Sequence, residues 1–117
     1  MSNRSPELCP KFHQAIELIG RRWSGAVIRL LVEGRLRYSD LRAAVPDISD
    51  RMLSERLKEL EGAGVVRRIV LAQTPVRVEY ELTEKGRALE EPLRALGEWA
   101  HAWIHPEKAE ADTRQGV

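Results

Sequence analysis

The chain has a single cysteine, Cys9, among its 117 residues. That excludes an intramolecular disulfide and any zinc site built from several thiolates. Aromatic residues are sparse, at 5%. No apolar run approaches the roughly 18 residues a membrane-spanning helix requires. The first ten residues hold no apolar segment of a secretory signal, so an intracellular protein with no membrane partner is expected. The Gly-rich phosphate loop, the His-Glu-x-x-His zinc motif and the strained nucleophile turn are all missing, so no catalytic residue, cofactor or enzymatic activity is expected. Cys9 with His13, and His101 with His105, have the i, i+4 spacing of two-ligand metal pairs. Three surface histidines and a free thiol account for them more simply, and no metal is expected.

A one-sided charge is missing as well. The net charge is +1, so global electrostatics do not announce a nucleic-acid partner. The distribution is more informative: from Arg35 to Arg77 nine Arg or Lys stand against six Asp or Glu. With 43% hydrophobic residues and no internal repeat, the chain has the length and composition of one domain. Residues 9–106 are expected to form it, between a flexible lead-in over 1–8 and a disordered tail over 107–117, where small, polar and charged residues dominate.

The stretch from Asp47 to Arg68 is the most informative. Ser49 is a good N-cap, because its hydroxyl can accept from a backbone N–H of the first turn. Leu53, Leu57 and Leu60 then recur at helical spacing and define a buried stripe. At about 100° per residue, Arg51, Ser54, Glu55, Lys58 and Gly62 fall on the opposite, polar face. Gly62 and Gly64 are expected to end this helix.

Before it, Phe12, Ala15, Ile16 and Ile19 predict a short first helix ending at Gly20. Trp23 opens a second helix with Val27, Leu30 and Leu31 aligned and Gly34 as its stop. Leu36-Arg37-Tyr38 is long enough only for an edge strand, and Ser39 is expected to cap a third helix that Pro46 closes. The short link Val45–Ile48, with Ile48 turned inward ahead of the cap, suits a helix-turn-helix. After Gly64 the period changes. Val76, Val78, Tyr80 and Leu82 alternate with Arg77, Glu79 and Glu81 as a half-buried strand does, Val65 to Ala72 is its partner, and Gln73-Thr74-Pro75 is the hairpin tip. Thr83 caps a last helix in which Leu89, Leu93, Leu96, Ala100 and Ile104 are in phase, with Pro92 a kink or restart and Pro106 a stop. Trp99 and Trp103 add more apolar surface than the end of a small domain needs for itself, which predicts a partner there.

A capped helix with a polar face, followed by a basic hairpin, is the sequence shape of a winged helix-turn-helix: mainly α with a small β-hairpin wing. Arg51, Ser54, Glu55 and Lys58, with Ser49 at the cap, have the chemistry for base edges and phosphates. Arg67, Arg68 and Arg77 flank the hairpin with Thr74 at its tip, and a narrow minor groove attracts arginine; shielding an exposed strand edge is the competing role. Arg35, Arg37 and Ser39 surround the start of the third helix, where phosphates are favoured. Arg56 sits on the flank of the leucine stripe, and both DNA contact and an internal ion pair are open to it.

Gly20-Arg21-Arg22-Trp23, Leu36-Arg37-Tyr38-Ser39-Asp40-Leu41, Ile48 through Glu61, Gly64-Val65-Val66 and Val78 through Gly86 occur in this order. Together they resemble the HxlR family of winged helix-turn-helix transcriptional regulators, related in fold to the MarR type. The resemblance spans about Cys9 to Ile104. It implies a bacterial or archaeal cytoplasmic regulator and a homodimer joined through the N- and C-terminal helices, which carry Phe12 and Ile16 at one end and Leu96, Trp99, Ala100 and Trp103 at the other. It also implies a recognition helix in the major groove of a palindromic double-stranded operator, repression by occupying it, and a wing near the minor groove. Many members carry a cysteine near the N-terminus, and several sense electrophiles or oxidants through it. Cys9 falls at that place, with Lys11 and His13 close in sequence, so a small-molecule or oxidant effector is expected; an inert free thiol is the alternative. The resolving cysteine some sensors possess is absent. A winged helix serving only protein–protein contact is the rival to operator binding.

Overall fold

The computed structural model describes residues 7–105. Residues 1–6 of the expected lead-in, Pro106 and the expected tail lie outside them. The described chain folds as α1 (Pro10–Ile19), α2 (Ser24–Val32), β1 (Leu36–Arg37), α3 (Tyr38–Ala44), α4 (Asp50–Gly62), β2 (Val66–Leu71), β3 (Arg77–Leu82), α5 (Glu84–Arg87) and α6 (Glu90–Trp103). This is the expected winged helix-turn-helix.

The core is built where the apolar periods meet. Val27, Ile28 and Leu31 of α2, Leu41 of α3, and Leu53, Leu57 and Leu60 of α4 pack with Val65, Val66, Tyr80 and Leu82 beneath the sheet and with Leu93 of α6. Each fully buried leucine contributes about 1.5–3 kcal/mol relative to exposure. The leucine stripe of α4 is therefore what holds that helix in place, and its other side is left to solvent. Ile48 is buried in the turn ahead of it, and Ser49 Oγ accepts from the Met52 N–H at 3.0 Å, both as expected.

Several local expectations are corrected. Arg37, not Ser39, precedes α3: the Asp40 carboxylate accepts from the Arg37 backbone N–H at 3.0 Å and closes the first turn, so Ser39 lies inside the helix. Trp23 does not open α2 but precedes it in the left-handed region at φ 76°, with the Arg22 guanidinium 5.1 Å from its ring centroid. Gly62 remains helical. The turn out of α4 rests on Gly64 alone, at φ +79°, a conformation glycine adopts without a Cβ clash. The expected last helix is two pieces: Thr83 caps α5 by accepting from the Gly86 N–H, and α6 begins at Glu90, so the break precedes Pro92. Gly86 is required there, since a Cβ would lie 2.1 Å from the Val65 carbonyl oxygen.

The strands run antiparallel in the order β1-β3-β2. Leu36 faces Tyr80 on one side of β3, and Val66, Arg68 and Val70 face Leu82, Tyr80 and Val78 on the other. Two residues break the simple alternation. Val76 lies ahead of β3 and is exposed, because the hairpin tip overruns the core. Glu79, expected outward, is buried, covered by the arginines that pair with it.

Candidate nucleic-acid interface

The polar face of α4 is the outermost surface of the helix-turn-helix. Arg51 is 89% exposed in its side chain and its Nε lies 3.3 Å from a Glu55 carboxylate oxygen. An exposed i, i+4 pair of this kind is worth only about 0.3–0.5 kcal/mol, so both groups can exchange it for a base edge or a phosphate. Ser49 and Lys58 are exposed too. Ser54 differs: it is half-buried, and its Oγ lies 3.3 Å from the Tyr38 hydroxyl.

That hydroxyl belongs to a polar lock between α3 and α4. Tyr38 Oη lies 3.1 Å from the Asp50 carbonyl oxygen and 3.2 Å from its carboxylate. Arg42 Nε donates to the same carboxylate at 2.7 Å. The Arg42 hydrogen bond, followed by that of Tyr38, holds the Asp50 carboxyl below its ordinary range. None of these three residues stood among the sequence-derived site residues. Their signal is weak, because an isolated Tyr, Arg or Asp in a helix reads as surface until the turn brings α3 and α4 together. Arg56, whose role was open, is an internal group: only 7% of its side chain is exposed, Nε donates to the Arg22 carbonyl at 2.9 Å, and Nη1 lies 3.1 Å from Glu59.

The wing carries its arginines differently. Arg67 pairs with Glu81 at 2.6 Å and Arg77 with Glu79 at 2.7 Å, while Arg35 reaches both glutamates at 3.3–3.4 Å. Arg68 stands on the other face of the strand and makes no ion pair among the described residues. Arg37 and Ser39 at the head of α3 line a shallow groove of about 500 Å³ whose other wall is Gln73, Pro75, Val76 and Arg77. The fold therefore brings the expected contacts of α3 and of the wing tip to one surface, with Thr74 exposed beside them.

Comparison with known proteins shows what kind of protein carries this surface. The sequence pattern of the HxlR-like helix-turn-helix family matches residues 18–108. The chain belongs to that family. It is 48% identical over 100 residues to the HTH-type transcriptional regulator YvaP of Bacillus subtilis, covering 86% of this chain and 93% of that protein. It is 44% identical over 99 residues to the HTH-type transcriptional regulator YodB of the same organism, covering 85% and 88%. Among solved structures it resembles the reduced form of YodB, with a TM-score of 0.76, 44% identity and coverage of 86% of this chain and 98% of that one. It also resembles the redox regulator HypR in its oxidised form, with a TM-score of 0.78, 37% identity and coverage of 83% and 99%. The chain is thus a DNA-binding transcriptional regulator with a winged helix-turn-helix. Its relatives are named as regulators, not as enzymes.

The regulator's terminal helices present a second surface. Phe12 is 64% exposed, Trp99 55% and Trp103 70%, and Ile16, Leu96 and Ile104 are exposed with them; Ala100 is half-buried. No residue of α1 is buried. Cys9 is an exposed free thiol at the head of α1, where it occupies the cap position before Pro10. Among the described residues no group of three or more His, Cys, Asp or Glu is placed to hold a metal, and His13 lies 3.2 Å from Glu17. No helix of the described residues is long and apolar enough to cross a membrane.

Proposed function

We propose that this regulator acts as a homodimer, joined through α1 and α6, that represses transcription by occupying a roughly palindromic double-stranded operator. In this reading α4 enters the major groove with Arg51, Glu55 and Lys58 at base edges and phosphates, and Ser49 and the half-buried Ser54 complete that face. Arg37 and Ser39 hold backbone phosphates, and Thr74, Arg67, Arg68 and Arg77 bring the wing to the adjacent groove. The observation that carries it is α4: its leucine stripe is buried in the core, and Ser49, Arg51, Glu55 and Lys58 on and beside its opposite face are exposed. Two such helices related by a two-fold axis would lie about 34 Å apart, one turn of duplex.

Control is proposed to pass through Cys9. Structures of YodB in reduced, diamide-treated and quinone-bound forms, and of HypR in oxidised and reduced forms, are similar to this chain, and Cys9 is exposed at the end of a helix that the dimer would use. Two Cys9 thiols, one from each protomer, would give up two protons and two electrons to an oxidant and form an intersubunit disulfide, turning the recognition helices relative to one another. The test is operator binding as a function of salt, with and without diamide, on the wild type and Cys9→Ser. Several phosphate contacts require a steep fall of affinity with salt. No duplex binding at low salt would overturn the operator reading, and an identical diamide response of the two proteins would overturn the role of Cys9.

A further inference from the structure

The first residue of α4, Asp50, is held by two side chains of α3. Arg42 Nε donates to its Oδ1 at 2.7 Å, and the Tyr38 hydroxyl lies 3.2 Å from the same oxygen. Tyr38 and Arg42 stand one turn apart on α3, so they reach the carboxylate together. The other oxygen, Oδ2, takes no hydrogen bond among the described residues, and the side chain is 74% exposed. A carboxylate with one oxygen fixed and the other free is a preset acceptor. Asp50 also lies one turn ahead of Ser54 and two ahead of Lys58, about 40° around the helix per step, which places it beside the polar face of α4.

An acid that served only the helix N-terminus would turn its oxygens to the first backbone N–H groups. Here Ser49 Oγ does that by accepting from the Met52 N–H, and Asp50 turns to α3 instead. A bare carboxylate would be repelled by the phosphates of a duplex. Arg42 offsets this, because a contact of opposite charges at 2.7 Å leaves the pair neutral overall. In the major groove guanine offers two acceptors, thymine an acceptor and a methyl group, and adenine a donor beside an acceptor, whereas cytosine offers its amino donor alone. An ionised carboxylate accepts and cannot donate. Cytosine is therefore the base edge that suits it, and hydrogen bonds to an ionised acceptor are roughly twice as strong as neutral ones.

We propose that Asp50 is a specificity-determining residue of this regulator: its free Oδ2 accepts from the N4 amino group of one cytosine in each half-site, and Tyr38 and Arg42 are positioning residues that aim it. This rests on the reading above in which α4 enters the major groove. The contact is separate from those of Arg51 and Glu55, since Glu55 lies five residues further on and is engaged by Arg51. Tyr38 and Arg42 act through Asp50, so loss of their hydrogen bonds blurs the base position that Asp50 reads. Arg42 also carries a charge whose removal weakens binding to every sequence, which makes Tyr38 the cleaner of the two to test.

The probe is a pool of duplexes with about 30 randomised base pairs, room for two half-sites one turn apart, selected by the full-length protein and sequenced. The wild type should enrich a pattern with cytosine at one symmetric position in each half-site. Asp50→Ala should lower that preference about tenfold and leave the other positions of the pattern in place. Asp50→Asn should move the preference toward adenine, because an amide supplies both the acceptor and the donor that the adenine edge requires. Tyr38→Phe, which removes only the hydroxyl, should weaken the same cytosine preference several-fold with the salt dependence of binding unchanged; a purely structural role would degrade every position together. Cooperative thermal unfolding above the binding temperature shows that each variant is folded. An Asp50→Ala protein that selects the wild-type pattern, or loses all positions alike, would overturn the assignment and leave the operator reading standing. A wild type that enriches no sequence would overturn the operator reading, and the assignment with it.

Discussion

Residues that look alike in composition do different work here, and the environment decides which. Arg51 and Arg56 sit five positions apart on one helix. The first is outward with a weak exposed partner, whereas the second is buried against the Arg22 carbonyl and Glu59. Arg51→Ala should leave the melting temperature unchanged and relax operator specificity, costing about 1–3 kcal/mol on the preferred site if the side chain is bidentate to a base. Arg77→Ala should weaken preferred and altered sites alike, and a binding scan over operator variants reads the two patterns apart. Arg56→Ala should instead lower stability by about 1–3 kcal/mol, because it leaves the Arg22 carbonyl without its donor and Glu59 with Arg21 alone; denaturant unfolding measures it.

The elements are held to each other by two kinds of contact. Leu57→Ala opens the seam between α4 and the core, and should cost about 2–5 kcal/mol in the same unfolding experiment. The polar lock between α3 and α4 acts on orientation more than on stability. Asp50's folded pKa lies below its unfolded one, so its ionised form stabilises the fold at every pH above the ordinary carboxylate value of about 3.9. That contribution is lost as pH falls through the lower folded value. The stability difference between the wild type and Asp50→Asn should therefore be constant from about pH 5 to 8 and close only in stronger acid. A difference that changed across neutral pH would contradict this placement of the charge.

At the scale of the whole molecule, α1 and α6 leave Phe12, Ile16, Leu96, Trp99 and Trp103 exposed, which supports the proposed dimer face. Trp103→Ala and Trp99→Ala should each weaken self-association by about 2 kcal/mol or more, as large aromatic anchors commonly do. Sedimentation equilibrium measures this, and an unchanged profile would contradict the dimer face. The same arrangement supports the proposal that control reaches α4 from outside it. Between Ser49 and Gly64 the groups are packed in the core, directed outward, or tied to their neighbours through Tyr38, Arg42, Arg22, Thr83 and Lys85. In the proposed reading, Cys9 at the head of α1 is where an effector acts.

The periodic content of the sequence determined the elements and the site's outline. Leucines at helical spacing, the Ser49 and Thr83 caps, and the alternating β3 each follow from local geometry, so the winged helix-turn-helix and the polar face of α4 were legible without coordinates. Only the tertiary structure decided what depends on groups far apart in the chain. The pairing of Tyr38 and Arg42 with Asp50, the burial of Arg56 and Glu79, the tying of Arg67 to Glu81, and the reach of Lys85 to Ala63 are all of this kind. Each sets a charged or hydroxyl group against a partner eight or more positions away or in another element, or covers it with one, and side-chain spacing along one element carries no record of that. The break before Pro92 combines both kinds of information: it falls at Ala88 and Leu89, where Pro92 has no N–H to offer the Ala88 carbonyl and its ring crowds it, while the close approach of Gly86 to Val65 just before the break is set by the tertiary structure.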